Sequence, residues 1–318
     1  MAEELLGAIK KCLDESKNVI IASHVRPDGD AIGSVLGLGV ALINAGKTVQ
    51  MVLVDVVSAS YRHLEGSELI VKEPTARYDT FITVDCADFR RVGRVFESFG
   101  KPHINIDHHK TNENFGSLNL IEPEEVATAA ILANHLPAWG FEITKPIAAA
   151  LLTGIITDTL GFRTSNTNPA ALRLCAMLME TGVNMPDLYM RSLVHKSFPA
   201  ARYWGAGLSS LEQDNGIVWG TLTLEDRKRA GYGGNDDVDL INLISAIHGN
   251  KVGMIFVEQS DKRVKISWRA LEDGVDVSPI AKQFGGGGHA AAAGADIPGS
   301  LQEIQHLVLQ ATRESLGL

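Results

Sequence analysis

Apolar and polar positions along the chain fall into two successive rhythms. Leu5, Leu6, Ile9 and Leu13 recur at helical spacing and predict an amphipathic helix over 3–16. Val19-Ile20-Ile21-Ala22 is a short continuous apolar run, the pattern of a buried strand. A run of small and apolar residues over 31–45 predicts a helix, closed by Gly46. Strands are then predicted over 48–54, 80–84 and 103–106, with a helix over 90–99. Strands alternating with helices imply a parallel sheet with right-handed crossovers. Helical patterns follow over 124–139, 145–159, 168–181 and 185–196. The first three carry cap signals at Pro123 or Glu124, at Thr144, and at Asn168-Pro169. The pattern breaks around Phe198-Pro199, which puts a domain junction near 190–205. Beyond it a strand over 217–223 follows a turn at Asp214-Asn215-Gly216, and a helix covers 237–247. A strand pair, 252–258 and 264–270, is joined near Ser260-Asp261-Lys262. A short helix over 277–284 and a last one over 301–315 complete the pattern. The expected fold is α/β: a parallel-sheet domain over 1–190, a linker over 191–205, and a smaller α+β domain over 206–318, with a cleft between the domains.

Composition narrows the function classes. The 318 residues carry a net charge of −9 with 45% apolar and 21% charged positions, ordinary for a globular protein. Such an acidic chain has no broad basic face for gripping long nucleic acid, although a few Arg and bound metals suffice for a small anion. Cys12, Cys86 and Cys175 are scattered and form no disulfide framework, which points to a reducing cytoplasm. The start, Met1-Ala2-Glu3-Glu4-Leu5-Leu6, lacks the basic residues of a signal peptide. No apolar run reaches the roughly 18 residues of a membrane span.

The chemistry concentrates where predicted strands end. Ser23-His24-Val25-Arg26-Pro27-Asp28-Gly29-Asp30 lies between a strand and a helix, at the edge where parallel α/β sheets bind ligands. One imidazole and two carboxylates on so short a turn suit a metal; alternatively, Asp30 caps the helix. Asp85 directly follows the 80–84 strand, and Asp107-His108-His109 directly follow the 103–106 strand. Asp158 ends an otherwise apolar helix, where a carboxylate is expected to be paired or metal-bound. Each group alone has a plain structural explanation as a cap, a helix end or a surface pair. Their coincidence at one sheet edge is what points to a site.

This set, HxxxDxD (His24, Asp28, Asp30), Asp85 after a strand, the Asp107-His108-His109 triplet and Asp158, resembles the DHH phosphoesterase family. Gly286-Gly287-Gly288-His289 with Ala292-Ala293-Gly294 is similar to the C-terminal domain that accompanies it. The size is most like the nanoRNase (oligoribonuclease) and pAp-phosphatase branch. The resemblance implies two Mn²⁺ ions per site, with Mg²⁺ or Co²⁺ as substitutes. One ion would take His24, Asp28 and Asp85; the other Asp30, Asp85, His108 and Asp158. It implies that Asp107 orients the histidines and that His109 contacts the scissile phosphate or assists the leaving oxygen. Arg269, Gly286, Gly287, Gly288 and His289 would grip substrate, with Arg163 facing the cleft. The Gly run is one residue longer than the usual three.

The expected activity is metal-dependent hydrolysis of very short RNA to mononucleotides, with removal of the 3′-phosphate of pAp. The near alternative is cleavage of cyclic di-AMP or pApA. A nucleotide sensor without turnover, an inorganic pyrophosphatase and a long-strand exonuclease rank lower, on the complete metal set, the Gly-rich tail and the acidic charge respectively. No membrane partner is expected, and a homodimer is the family-based expectation.

Overall fold

Val19, Ile20, Ile21 and Ala22 are all buried, because the strand they form has neighbours on both edges and packing on both faces. The computed structural model describes residues 2–317 and divides into two compact units, 1–195 and 196–318. Met1 and Leu318, the outer ends of the expected domain spans, lie outside the described residues.

The first unit runs α1 (Ala2–Glu15), β1 (Asn18–Ala22), α2 (Gly29–Asn44), β2 (Thr48–Val52), β3 (Thr80–Val84), β4 (Ile104–Asp107), β5 (Leu118–Ile121), α3 (Thr128–His135), α4 (Lys145–Asp158), α5 (Pro169–Met179) and α6 (Met185–Tyr189). The five strands are parallel in the order β2-β1-β3-β4-β5, so β1 and β3 adjoin at the point where strand order reverses. Alternate residues serve opposite faces. Val19, Ile21, Ile82 and Ile104 join the main core with α2, α3 and α4. Ile20, Ala22 and Phe81 face a smaller cluster with Val92 and Phe96, where the Phe81 and Phe96 rings stack at 5.1 Å.

Four local departures from the sequence pattern have physical causes. The helix expected over 90–99 is two 3₁₀ turns, Phe89–Val92 and Arg94–Phe96. Between them Gly93 sits at φ 113°, a conformation no helix contains. The short edge strand β5 was not anticipated, since only Leu120 of its four residues is buried. The helix expected from Glu124 begins at Thr128, behind an N-cap, Ala127, that offers no side-chain bond. Its cap comes from α2: Asp30 accepts the backbone N–H of Thr128 at 2.7 Å and of Ala129 at 2.9 Å. The helix expected over 185–196 ends in a π turn, Met190–Val194.

Helices α2 and α4 cross without room for side chains. A Cβ on Gly33 would lie 2.4 Å from the Ala150 carbonyl oxygen, and one on Gly154 would lie 2.7 Å from Asp30 Oδ1. These glycines bring the start of α2 and the end of α4 to one place above the sheet edge.

The second unit runs α7 (Phe198–Ser209), β6 (Glu212–Asp214), β7 (Ile217–Leu222), α8 (Leu224–Ala230), α9 (Leu240–Ile244), β8 (Val252–Gln259), β9 (Arg263–Ala270), α10 (Ser278–Gln283), β10 (Gly287–Gly288), β11 (Ala292–Pro298) and α11 (Leu301–Leu316). The break at Phe198-Pro199 is a helix start, capped by Ser197. The sheet order is β10-β11-β9-β8-β7-β6, with β7 and β8 its only parallel pair among the described residues. Val264, Ile266 and Trp268 of β9 pack with residues of α10 and α11, while Lys265, Ser267 and Arg269 alternate with them on the other face. The helix expected over 237–247 shortens to α9 because Val238 and Asp239 take φ of 55° and 64°.

Candidate metal centre

The turn after β1 is built around Asp28. Its Oδ1 accepts the N–H of Asp30 at 3.1 Å and of Ala31 at 3.0 Å, so Asp28, not Asp30, caps α2. Its Oδ2 lies 3.9 Å from His24 Nε2. Arg26 sits at φ 55°, and its N–H is held by Asp55 Oδ2 at 2.6 Å. His24 Nδ1 lies 2.9 Å from the Val25 carbonyl oxygen, which leaves Nε2 facing Asp28 and, at 3.5 Å, Asp85 Oδ2.

Asp85 directly follows β3 in a left-handed conformation, φ 52°, and its N–H donates to the Ile106 carbonyl. It is 1% exposed, and its two oxygens look in different directions. Oδ2 faces His24; Oδ1 accepts from Thr128 Oγ1 at 3.1 Å and lies 3.9 Å from His108 Nε2. Asp107, at the end of β4, is fully buried and occupied by protein donors: His108 N–H at 2.9 Å, His109 Nδ1 at 2.7 Å and Asn112 Nδ2 at 2.6 Å. His108 Nδ1 lies 3.3 Å from the Glu125 carbonyl, turning Nε2 toward Asp158 Oδ2 at 3.5 Å. Three overlapping groups therefore have ligand atoms within 4.8 Å of one another: His24/Asp28/Asp85, Asp30/His108/Asp158 and Asp85/His108/His109.

Charge here is out of balance. Burial, then the neighbouring carboxylates Asp85, Asp158 and Asp28, holds Asp30 well above the usual carboxylate range. Burial also raises Asp158 to about 7, with Asp85 and Asp28 adding to it and His108 opposing. Burial pushes Asp85 up too, but the bond from His24 and the charges of His24, His109 and His108 outweigh it and hold Asp85 below its ordinary value. Burial works against the charged form of His109, yet the Asp107 bond and the Asp85 charge raise it to about 9. Burial pushes the neighbouring Cys86 thiol up to about 12, so it offers no thiolate. Converging carboxylates and imidazole nitrogens, with negative charge in excess, fit hard divalent cations.

The remaining sequence-derived candidates lie elsewhere. Arg163 is exposed on the turn after α4, where Leu160, Gly161 and Phe162 all have positive φ. In the second unit Arg269 pairs across strands with Ala292 and donates from Nη1 to the Trp268 carbonyl at 3.0 Å. Burial lowers its pKa, and the Asp237 and Asp239 charges oppose that shift. The glycines divide by role. A Cβ on Gly286 would lie 2.2 Å from the Gly294 carbonyl oxygen, and one on Gly288 2.4 Å from that of Ala292. Those two are required by sheet packing, whereas Gly287 has open space around its Cα. His289 closes the turn into β11, its N–H donating to the Ala292 carbonyl.

The chain is similar to known proteins along most of its length. The family model "DHH family, N-terminal domain" matches residues 18–155, and "DHHA1 domain" matches residues 235–314. A bifunctional oligoribonuclease and PAP phosphatase, NrnA, of Thermus thermophilus is 37% identical over 94% of this chain and 90% of its own length. The chain belongs to the DHH family. The NrnA of Bacillus subtilis is 23% identical over 88% of this chain and 89% of its own. A cyclic-di-AMP phosphodiesterase, GdpP, of Geobacillus thermodenitrificans is 25% identical over 93% of this chain but 47% of its own. Among solved structures, an exopolyphosphatase-related protein from Bacteroides fragilis superposes with a TM-score of 0.90 at 25% identity, covering 99% of this chain and 96% of that one. A manganese-bound exonuclease RecJ shares the fold at a TM-score of 0.52 and 13% identity, over 96% of this chain and 92% of that one. As a DHH-family protein, the chain is a phosphoesterase.

Several residues that build this cluster escape sequence reading. Thr128 braces two carboxylates at once, giving its N–H to Asp30 and its hydroxyl to Asp85. Asn112 bonds Asp107 and the Cys86 carbonyl. Arg91 places Nη2 3.3 Å from His24 Nδ1. Only Arg91 left a signal, as one of two basic residues close after Asp85.

Proposed function

We propose that the chain is a metal-dependent phosphohydrolase that degrades very short RNA to mononucleotides and removes the 3′-phosphate of pAp. The observation that carries the reading is the meeting of His24, Asp28, Asp30, Asp85, His108 and Asp158 at the ends of three adjacent strands and two helices. Relatives named oligoribonuclease and PAP phosphatase, matched along nearly the whole chain, support the substrate class. The cyclic-dinucleotide reading is less favoured, because the GdpP relative is matched over under half its length.

In this reading His24, Asp28 and Asp85 would hold one ion, and Asp30, Asp85, His108 and Asp158 would hold the other. Mn²⁺ is the proposed ion, and Mg²⁺ or Co²⁺ fit the same donors. When bound, two such ions supply positive charge against the phosphate oxygens and acidify a water. The residues do the rest. Thr128 and the amides at the start of α3 fix Asp30 and Asp85. Asp107 holds His109 in its charged form, so His109 can give a proton to the leaving oxygen. Arg269, Gly287 and His289 suit a phosphate grip, a fork and an open backbone, with Gly286 and Gly288 shaping that strand and Arg163 as a further cation. Domain roles follow: hydrolysis in the first unit and substrate holding in the second. Cys12, Cys86 and Cys175 are free thiols, consistent with placing the enzyme in the cytoplasm.

The test is a panel of pAp, a ribodinucleotide, pApA, cyclic di-AMP and pyrophosphate, each with Mn²⁺, Mg²⁺ or chelator. Mononucleotide release from the dinucleotide and AMP from pAp, abolished by chelator, are expected. No release from any short oligonucleotide with metal present would refute the reading.

A further inference from the structure

A cavity of about 350 Å³ lies beyond the end of β2, within the size range of small-ligand sites. Leu53, Val57, Ile70 and Val71 give it apolar walls. Asp55, Arg62, Glu68 and Lys72 also line it. Its frame is braced. Val71 pairs with β2 through Leu53 N–H to the Val71 carbonyl at 3.0 Å and Val71 N–H to Met51 at 2.9 Å. Arg62 Nε donates to the Val57 carbonyl, and Ser67 Oγ to the Arg62 carbonyl. Glu68 and Lys72 make no hydrogen bond or ion pair among the described residues, so their polar ends are unspent. The exposed Val56, 59% accessible, also belongs to the lining.

One hydrogen bond ties the cavity to the turn that carries His24, Asp28 and Asp30. Ala22 of β1 pairs with Val52 of β2, so the ends of the two strands, from which the His24 turn and the cavity wall start, are neighbours. Asp55 makes that link: it lines the cavity, and its Oδ2 accepts the Arg26 N–H, two residues from His24. The lining distinguishes ligand classes. Apolar walls with charges of both signs repel a polyanion as much as they attract it. They suit an uncharged planar ring whose edge carries donors and acceptors, with aliphatic groups against its faces.

We propose that this cavity binds one nucleobase of the oligonucleotide whose phosphate is cleaved next to it. The proposal rests on the short-RNA reading above and adds a base subsite in the first unit. Binding there is made equally in ground and transition states, so it sets KM rather than kcat.

The experiment compares a ribodinucleotide with two analogues, each lacking the base at one position, using Mn²⁺-loaded enzyme. Wild type is expected to show a KM on the order of 10-fold higher for one of the two abasic analogues, with kcat little changed. Val57→Trp fills the cavity and is expected to raise KM for the intact dinucleotide to that of the abasic one. The exposed pair Glu68→Ala/Lys72→Ala leaves the walls intact and is expected to raise it about threefold. Fluorescence anisotropy of a 2-aminopurine dinucleotide reads the same subsite without turnover, and Val57→Trp should weaken that binding. Equal KM for all three dinucleotides in wild type overturns the base subsite. So does wild-type KM and anisotropy in both variants. Absence of hydrolysis by wild type, with anisotropy still sensitive to Val57→Trp, sinks the short-RNA reading and leaves the subsite standing.

Discussion

Asp85 is the residue on which the candidate centre turns, because its Oδ2 faces His24 and its Oδ1 faces His108. Asp85→Ala is expected to lower turnover by at least about 1,000-fold, measured as mononucleotide release with Mn²⁺ present. Retained nucleotide binding in that variant would mark a lost reaction rather than a lost fold. Thr128→Val tests the bracing. It removes the hydroxyl that holds Asp85 and is expected to weaken Mn²⁺ activation about 10- to 100-fold, read by titrating activity against the ion. The candidate ligands were legible in the chain only as a set, because each alone has a plain structural use and only their coincidence at one sheet edge points to a site. Thr128 was not. It stands 43 residues from Asp85, in a stretch that reads as an ordinary helix start. Asp30 was half legible: it was read as a candidate ligand and alternatively as a cap for its own helix, and it caps a different one.

At the scale of elements, the crossing of α2 and α4 brings together candidate ligands from far apart in the chain, Asp30 and Asp158. Gly33→Ala is expected to destabilise by about 2 kcal/mol, since its methyl meets a backbone carbonyl rather than a side chain that can move. Gly7→Ala in α1, with nothing within 4 Å of the new methyl, is expected to stabilise by roughly 0.5–1 kcal/mol. Paired urea melts check both. Asp79 ties the start of β1 to the start of β3 by accepting the N–H groups of Lys17 and Asn18. Its slight burial works against the charge, but those bonds, with Thr80 and the Asn18 side chain, hold its pKa below the ordinary value of 3.8. The stabilisation is therefore present above 3.8 and is lost as pH falls through the depressed folded value. Asp79→Ala should cost about 1 kcal/mol at neutral pH, and melts repeated in acid should show the difference vanish. Strands were legible because continuous apolar runs of this length bury on both faces. The 3₁₀ turns after β3 were not, since Phe89, Val92 and Phe96 keep a helical spacing that Gly93 interrupts only through its φ.

For the whole molecule, two units with separate cores were foreshadowed by the change from a βα rhythm to short paired strands. The strands β6, β10 and β11 were not foreshadowed, being short or rich in Gly and Ala. The concentration of carboxylates in the first unit gives metal-free protein a characteristic pH response. Asp158, raised from 3.8 to about 7, and His109, raised from 6.5 to about 9, both bind protons more tightly when folded. Their contributions are full below the unfolded values and are lost as pH rises through the folded ones. In chelator, these two groups should therefore lower the thermal midpoint from about pH 4 to about pH 9, and added Mn²⁺ should remove most of that fall. A rising midpoint over that range would contradict the charge picture. The order of the candidate ligands along the chain also has a consequence for biogenesis. Of these, His24 is synthesised first and Asp158 last, ahead of the whole second unit, 196–318. Nascent chains fold domain by domain from the N-terminus, and metal binding is coupled to folding. The donor set is thus fully synthesised before any of the second unit, so the ion can enter as a folding partner of the nascent first unit rather than as a late addition to a finished enzyme.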